Sequence, residues 1–204
     1  MSDVDQPPKV IHVTSARPGE GKTTIATSLA ISAASAGLKV VLVDADLRHC
    51  AASRIFKLEQ DRGLVDVLTG AATTDEVSAF YEDVKVTVIP AGSKSLNPPD
   101  VLGSERMKQL ISRLKDKFDY VVLDTPPVGP VVDSVIVANI ADKTIFVIKW
   151  ASTPRELIYS SIQQLTTNKR VAGIVFNSVK ERRAKKYGGA YYYGKSYEKH
   201  YTER

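Results

Sequence analysis

The sequence predicts an α/β fold: a mostly parallel, twisted sheet with helices on both faces. Two observations predict it. Runs of β-branched and aliphatic residues alternate with helical patterns along the chain, and strands alternating with helices build parallel sheets through right-handed crossovers. Between the first run and the first helical pattern lies SARPGEGKTT, residues 15–24. It fits the phosphate-loop pattern G/A-x-x-x-x-G-K-[ST], opened by Ala16 and closed by Gly21, Lys22 and Thr23.

The elements follow in order. VIHVT (Val10 to Thr14) is the first strand, and Lys22 to Ala36 is a helix with Gly37 at its left-handed cap. LKVVLVDAD (38–46) is the second strand, apolar enough to be covered on both faces. Gly63 to Thr69 is a short helix closed by Gly70, and VKVTVIPAG (84–92) is the third strand. Asp100 to Lys117 is helical after the Asn-Pro-Pro break at 97–99. DYVVLDTPP (119–127) is the fourth strand, stopped by prolines that cannot continue a central strand. Ser134 to Ile140 is a brief helix, KTIFVIKW (143–150) the fifth strand, Pro154 to Thr167 a helix and VAGIVFN (171–177) the sixth strand.

Bulk properties narrow the class. A chain of 204 residues suits one domain, able to bury roughly 70% of its unfolded surface. Its 43% apolar and 25% charged composition is that of a globular protein. No apolar run approaches membrane-spanning length, and the N-terminus MSDVDQPPK has no signal-peptide core. Cys50 is the single cysteine, which excludes an intrachain disulfide and a thiolate metal cluster. It reads as a small filler in a chain at home in a reducing cytoplasm. His12, His49 and His200 lack metal-ligand spacing and read as structural or solvated.

The loop's chemistry follows from its residues. Gly19 and Gly21 let the backbone approach a polyphosphate, because no side chain blocks it. The helix N-terminus that follows presents unpaired N–H groups to the anion. Lys22 reaches the β/γ oxygens, and the Thr23 hydroxyl can ligate Mg²⁺. In open parallel sheets, ligands sit beyond the carboxyl ends of the strands. There the sequence places Asp44, Asp46 and Arg48 after strand two, Asp124 after strand four and Asn177 after strand six.

Asp44 and Asp46 are two apart and share one side of an extended chain. Three carboxylates near a triphosphate repel it and one another, and Mg²⁺ resolves the conflict by bridging carboxylate to phosphate oxygens. Asp124 is the expected magnesium-side carboxylate. Of the other pair, one can assist the metal and the other can accept a proton from an attacking hydroxyl. Arg48 either grips a phosphate oxygen or forms a surface ion pair. Asn177 offers an amide suited to an adenine edge.

The C-terminal end differs from the body. From Lys180 onward eight Lys/Arg stand against three Glu, so the whole net charge of +5 sits there. Six of the nine tyrosines fall in the last 18 residues: Tyr187, Tyr191, Tyr192, Tyr193, Tyr197 and Tyr201. No hydrophobic period organises them. A sticky disordered end and single-strand nucleic-acid stacking are alternatives. The preferred reading makes the tyrosines phosphate acceptors. An anionic site attracts this tail while it is unmodified and rejects it afterwards, since each phosphotyrosine adds about −1.5 to −2.

TSARPGEGKTT, VVLVDADLR, VVLDTPPV, NPPDVLGS (97–104) and the tyrosine-rich terminus together resemble the bacterial tyrosine kinases of capsule and exopolysaccharide assembly. The resemblance runs from about Lys9 to the end. It implies a P-loop NTPase kinase domain over 1–179 and a flexible, basic, Tyr-rich tail over 180–204. It also implies ATP/ADP and Mg²⁺ as cofactors. Lys22 and Thr23 would hold ATP–Mg²⁺, with Pro18, Gly19, Glu20, Gly21 and Thr24 around the phosphates. Asp46 and Asp124 would join Thr23 at the metal, Asp44 would be the base for the tyrosine hydroxyl, and Arg48 would complete the catalytic set. The implied reaction is ATP-dependent autophosphorylation of the tail in trans, regulating polysaccharide polymerisation and export. The implied partners are neighbouring copies and a membrane activator or co-polymerase, with no specific nucleic acid. The implied location is cytoplasmic, at the inner face of the plasma membrane, through the activator or a missing N-terminal membrane region. The eukaryotic kinase motifs are absent, as they are in that family. The family usually carries tens of residues before the first strand, including a helix used in ring contacts, whereas this strand starts near residue 9. That implies either a catalytic piece of a longer membrane protein or weak self-association. The competing class is the partition and septum-placement switch ATPases, which bind DNA or membrane. They carry a signature Lys where this loop has Arg17, and they lack a tyrosine tail. Iron–sulfur reductases of this scaffold need several cysteines and are excluded.

Overall fold

The computed structural model describes residues 7–58, 62–95, 97–165 and 171–180. The elements run β1 (Val10–Ser15), α1 (Lys22–Ser35), β2 (Val40–Asp44), α2 (Ala51–Ile55), α3 (Leu64–Thr69), α4 (Thr74–Val77), β3 (Ala79–Tyr81), β4 (Val86–Ile89), α5 (Pro98–Leu102), α6 (Glu105–Lys117), β5 (Tyr120–Asp124), α7 (Asp133–Ala138), β6 (Lys143–Lys149), α8 (Arg155–Leu165) and β7 (Val171–Asn177). They form one seven-stranded sheet in the order β3-β4-β2-β5-β1-β6-β7. Every pairing is parallel except β3 with β4.

Strand parity sorts the core into layers. Val41 and Val43 of β2, with Val121 and Leu123 of β5, join Met107, Leu110 and Leu114 of α6. Val40, Leu42 and Val122 point the other way and join Ala26, Ala30 and Ala34 of α1. Those methyl side chains present little bulk to the sheet. Leu110 is fully buried, so Leu110→Ala would cost about 2–5 kcal/mol. Gly37 ends α1 at φ +90°, as its position in the sequence predicts, and its N–H bonds Ala34 O at 2.9 Å.

One part of the core is polar. His12 of β1 is fully buried, and its Nδ1 meets Thr144 Oγ1 at 3.1 Å. Its Nε2 meets Thr125 Oγ1 at 2.8 Å and Ser134 Oγ at 3.0 Å. Ser134 donates to Thr14 Oγ1 at 2.7 Å. Burial pushes the His12 imidazole down to about 3, so it is neutral at physiological pH.

Several sequence expectations need correction. The described residues form seven strands, not six, because β3 (Ala-Phe-Tyr) adds an antiparallel edge. The helix expected over 100–117 is two helices. Pro98 opens α5, and Ser104 starts α6 by accepting from Met107 N at 3.2 Å. The short helices α2 and α4 have no counterpart in the sequence reading. β2 is shorter than expected: Leu38 and Lys39 precede it, and Ala45 and Asp46 form the loop beyond its tip. Residues 181–204 of the tail and the end of the expected helix at 166–167 lie outside the described residues. No described helix is long and apolar enough to cross a membrane.

Candidate active site

β1, β2, β5, β6 and β7 deliver their carboxyl ends to one edge of the sheet, and the site is assembled there. The loop after β1 turns on two glycines in the left-handed region, Gly19 at φ +79° and Gly21 at φ +90°. Gly21 also has no room for a side chain, since a Cβ would lie 2.0 Å from Asn177 Nδ2. That amide nitrogen donates to Glu20 O at 2.9 Å, and Asn177 Oδ1 accepts from Ser178 N at 2.8 Å. One donor and one acceptor position of the amide therefore serve backbone, while a second N–H and a second lone pair stay available to a base edge.

Glu20 is likewise a brace. Its Oε2 accepts from Arg17 N at 2.8 Å; its Oε1 accepts from the Thr153 hydroxyl and, at 3.4 Å, from Lys149 N. The side chain, 3% exposed, ties the loop to the end of β6 instead of facing phosphate. A cavity of about 260 Å³ opens beside the loop, lined by Pro18, Gly19, Gly21, Lys22, Thr23 and Asp46 among others. Two larger clefts, of about 440 and 610 Å³, lie elsewhere: between α4 and α6, and beside the amino ends of β2 and β4. Thr24 is exposed on the first turn of α1.

Lys22 Nζ donates to Asp46 Oδ2 at 2.9 Å and to Thr23 Oγ1 at 3.2 Å, and sits 3.8 Å from Asp124 Oδ1. Asp124 ends β5 directly opposite Asp44 in the ladder. It is fully buried, and neither carboxylate oxygen has a hydrogen-bond partner. Burial pushes its carboxyl up to about 7; Lys22 and the neighbouring Thr23 hydroxyl pull it down, while Asp44 and Asp46 push it further up.

An orphaned buried carboxylate beside a threonine hydroxyl and a second aspartate fits a hard cation. Among the described residues no group of three or more His, Cys, Asp or Glu forms an all-protein metal cage. Mg²⁺ needs none, because it takes one or two carboxylates, waters and substrate phosphates. Thr23, Asp46 and Asp124 fit that donor set.

Asp44 stands apart from them. It is fully buried and is not among the cavity residues. Its Oδ2 accepts from Ser53 N at 2.7 Å and Ser53 Oγ at 2.6 Å, and its Oδ1 from Asp46 N at 3.2 Å. Burial raises its pKa, and the two Ser53 bonds hold that rise back. Ser53 in turn accepts from Ala91 N at 2.9 Å.

Arg48 points away from the cavity. Its Nε and Nη2 reach the two oxygens of Asp133 at 2.8 and 3.1 Å. The ion-pair alternative therefore holds over a phosphate grip, with a partner that is fully buried. Cys50 is half-buried, and burial beside Asp44 and Asp46 raises its thiol pKa, in keeping with a filler. Sequence reasoning missed Ser53, Asp133 and Thr153. The tyrosines from Tyr187 to Tyr201 lie outside the described residues.

Together the two-glycine loop, Lys22, Thr23 and the orphaned strand-end carboxylate define a P-loop nucleotide-binding protein. The sequence matches the AAA domain family over residues 8–172. It is 36% identical over 175 residues to the tyrosine-protein kinase CpsD of Streptococcus agalactiae serotype III (strain NEM316), covering 85% of this chain and 75% of that one. It is 33% identical over 202 residues to the succinoglycan biosynthesis transport protein ExoP of Rhizobium meliloti (strain 1021), covering 96% of this chain but 26% of that one. The VpsO kinase domain superposes with a TM-score of 0.82 at 30% identity, covering 87% of this chain and 88% of that one. The chain belongs to the bacterial tyrosine-protein kinases of the AAA domain family.

Proposed function

We propose that this chain is an ATP-dependent protein-tyrosine kinase acting on its own C-terminal tyrosines, with the tail of one copy entering a neighbour's site. One observation carries the reading. Asp124 keeps two buried carboxylate oxygens without donors beside Lys22, Thr23 and Asp46, an arrangement that suits a nucleotide-borne cation. Lys22 holds the terminal phosphates, and the Gly19–Gly21 turn aims backbone N–H groups at them. Thr23, Asp46 and Asp124 would hold Mg²⁺, which would supply positive charge to the transferred phosphoryl group.

The γ-phosphorus–oxygen bond to ADP breaks as a bond from phosphorus to a tyrosine oxygen forms, and the phenolic proton passes to a carboxylate. Asp44 is that base in our reading, and it acts once Ser53 has released it into the cavity. The acceptors are Tyr187, Tyr191, Tyr192, Tyr193, Tyr197 and Tyr201. Their flanking lysines and arginines are drawn to the acidic strand ends. A membrane co-polymerase at the cytoplasmic face is the expected activator, in keeping with a relative named for succinoglycan transport.

The test is mass spectrometry after incubation with Mg²⁺ and ATP, comparing wild type with Lys22→Met. Phosphate on the 187–201 tyrosines in wild type alone supports the proposal. Phosphate confined to serine, or released wholly to solvent as by a switch ATPase, overturns it.

A further inference from the structure

We infer that Asp133 is a positioning residue for Asp46, acting through Arg48. The inference rests on reading Asp46 as a magnesium-side carboxylate. Asp46 sits in a tight turn: Cys50 N bonds its carbonyl at 2.8 Å, and His49 N bonds its Oδ1 at 3.1 Å. Arg48 is the arm of that turn that leaves the loop. It ends in the two-pronged pair with Asp133, whose side chain is fully buried while that of Arg48 is 38% exposed. A buried carboxylate held by one guanidinium fixes both the distance and the plane of its partner.

Asp133 is itself anchored. It opens α7, and the next residue, Ser134, bonds Thr14 of β1, His12 and Thr125. The same helix end thus grips the strand before the phosphate loop, the segment after Asp124 and, through Arg48, the turn that bears Asp46. Outer partners of this kind hold metal ligands at their working orientation, and losing one typically costs about 10–100-fold in metal affinity.

The test is ADP binding to the full chain by calorimetry, in Mg²⁺ and in EDTA, with melting temperature followed alongside. Asp133→Asn keeps the volume and removes the charge. We expect it to lose about tenfold of the affinity that Mg²⁺ adds, with the affinity in EDTA unchanged. Arg48→Gln and the double variant should show the same loss, because the pair acts as one unit. The double variant buries no lone charge, so it carries the test if either single variant misfolds. If Arg48→Gln alone loses affinity, Arg48 contacts the nucleotide itself and the inference fails. Equal losses in Mg²⁺ and EDTA overturn it too, as damage to the fold. A wild type with no gain from Mg²⁺ would instead remove the metal reading beneath it. Asp46→Asn, expected to abolish the gain, separates those two failures.

Discussion

Two buried polar clusters meet at consecutive residues, Thr125 and Asp124, and they are built on opposite rules. Around His12, both ring nitrogens and the hydroxyls of Thr14, Thr125, Ser134 and Thr144 all have partners. Around Lys22, one cation faces Asp46 and Asp124, and both oxygens of Asp124 go without donors. A satisfied buried network rigidifies, whereas an unsatisfied one leaves a desolvation penalty of about 1–3 kcal/mol per group. The first cluster is scaffold. The second is, in the proposed reading, a receptor for positive charge and phosphate.

The sharpest way to break this contrast is Lys22→Met. Tail phosphorylation should fall by at least ~100-fold, since a charge-stabilising donor at the reacting group is lost. Residual labelling near wild type, read by phosphotyrosine mapping, would show that Lys22 is not part of the receptor.

The two clusters should also respond to pH with opposite sign. His12 titrates near 6.5 when unfolded and near 3 when folded. Its contribution is whole above pH 6.5 and is lost as pH falls toward 3, up to roughly 4–5 kcal/mol across that window. Asp124 behaves in reverse. Its folded carboxyl keeps a proton to about pH 7, whereas the unfolded one releases it near 3.8. In metal-free protein, stability from Asp124 is therefore lost as pH rises from about 4 to about 7, and then levels. Urea unfolding of His12→Gln should show a flatter acid side than wild type; an unchanged slope would count against a neutral buried histidine.

Asp124→Asn should stabilise the protein in EDTA at pH 8 by about 1–3 kcal/mol and give no gain at pH 4. It should also erase the rise in melting temperature caused by Mg²⁺ and ADP. A destabilised variant at pH 8 would mean that Asp124 is already satisfied. The smallest expected effect lies outside both clusters. Ser104→Ala removes the α6 cap and should cost ~1 kcal/mol, equally at pH 5 and pH 8 because no titrating group is involved.

The legibility of the sequence divides along the same line. The parallel sheet and the receptor residues could be read because each lies within a short motif: Gly21, Lys22 and Thr23 in one loop, Asp46 and Asp124 each at the end of an apolar run. The scaffold could not, because its partners are far apart in the chain. His12 meets Thr144, Arg48 meets Asp133 and Glu20 meets Thr153, and no local pattern pairs them. β3 escaped because three residues, Ala-Phe-Tyr, show no period. The break between α5 and α6 is written in Gly103-Ser104, where the apolar spacing of Met107, Leu110, Ile111 and Leu114 stops. Asn177 was placed at the right strand end, but its bond to Glu20 O was not legible, because an amide suits backbone as well as a base edge.

Asn177 closes β7 and also steadies the curl at Gly21. The carboxyl end of β7 is therefore mechanically in series with the curl of the phosphate loop. A pull on that end is felt first at a single amide, like a tug on the cord that holds a drawstring closed.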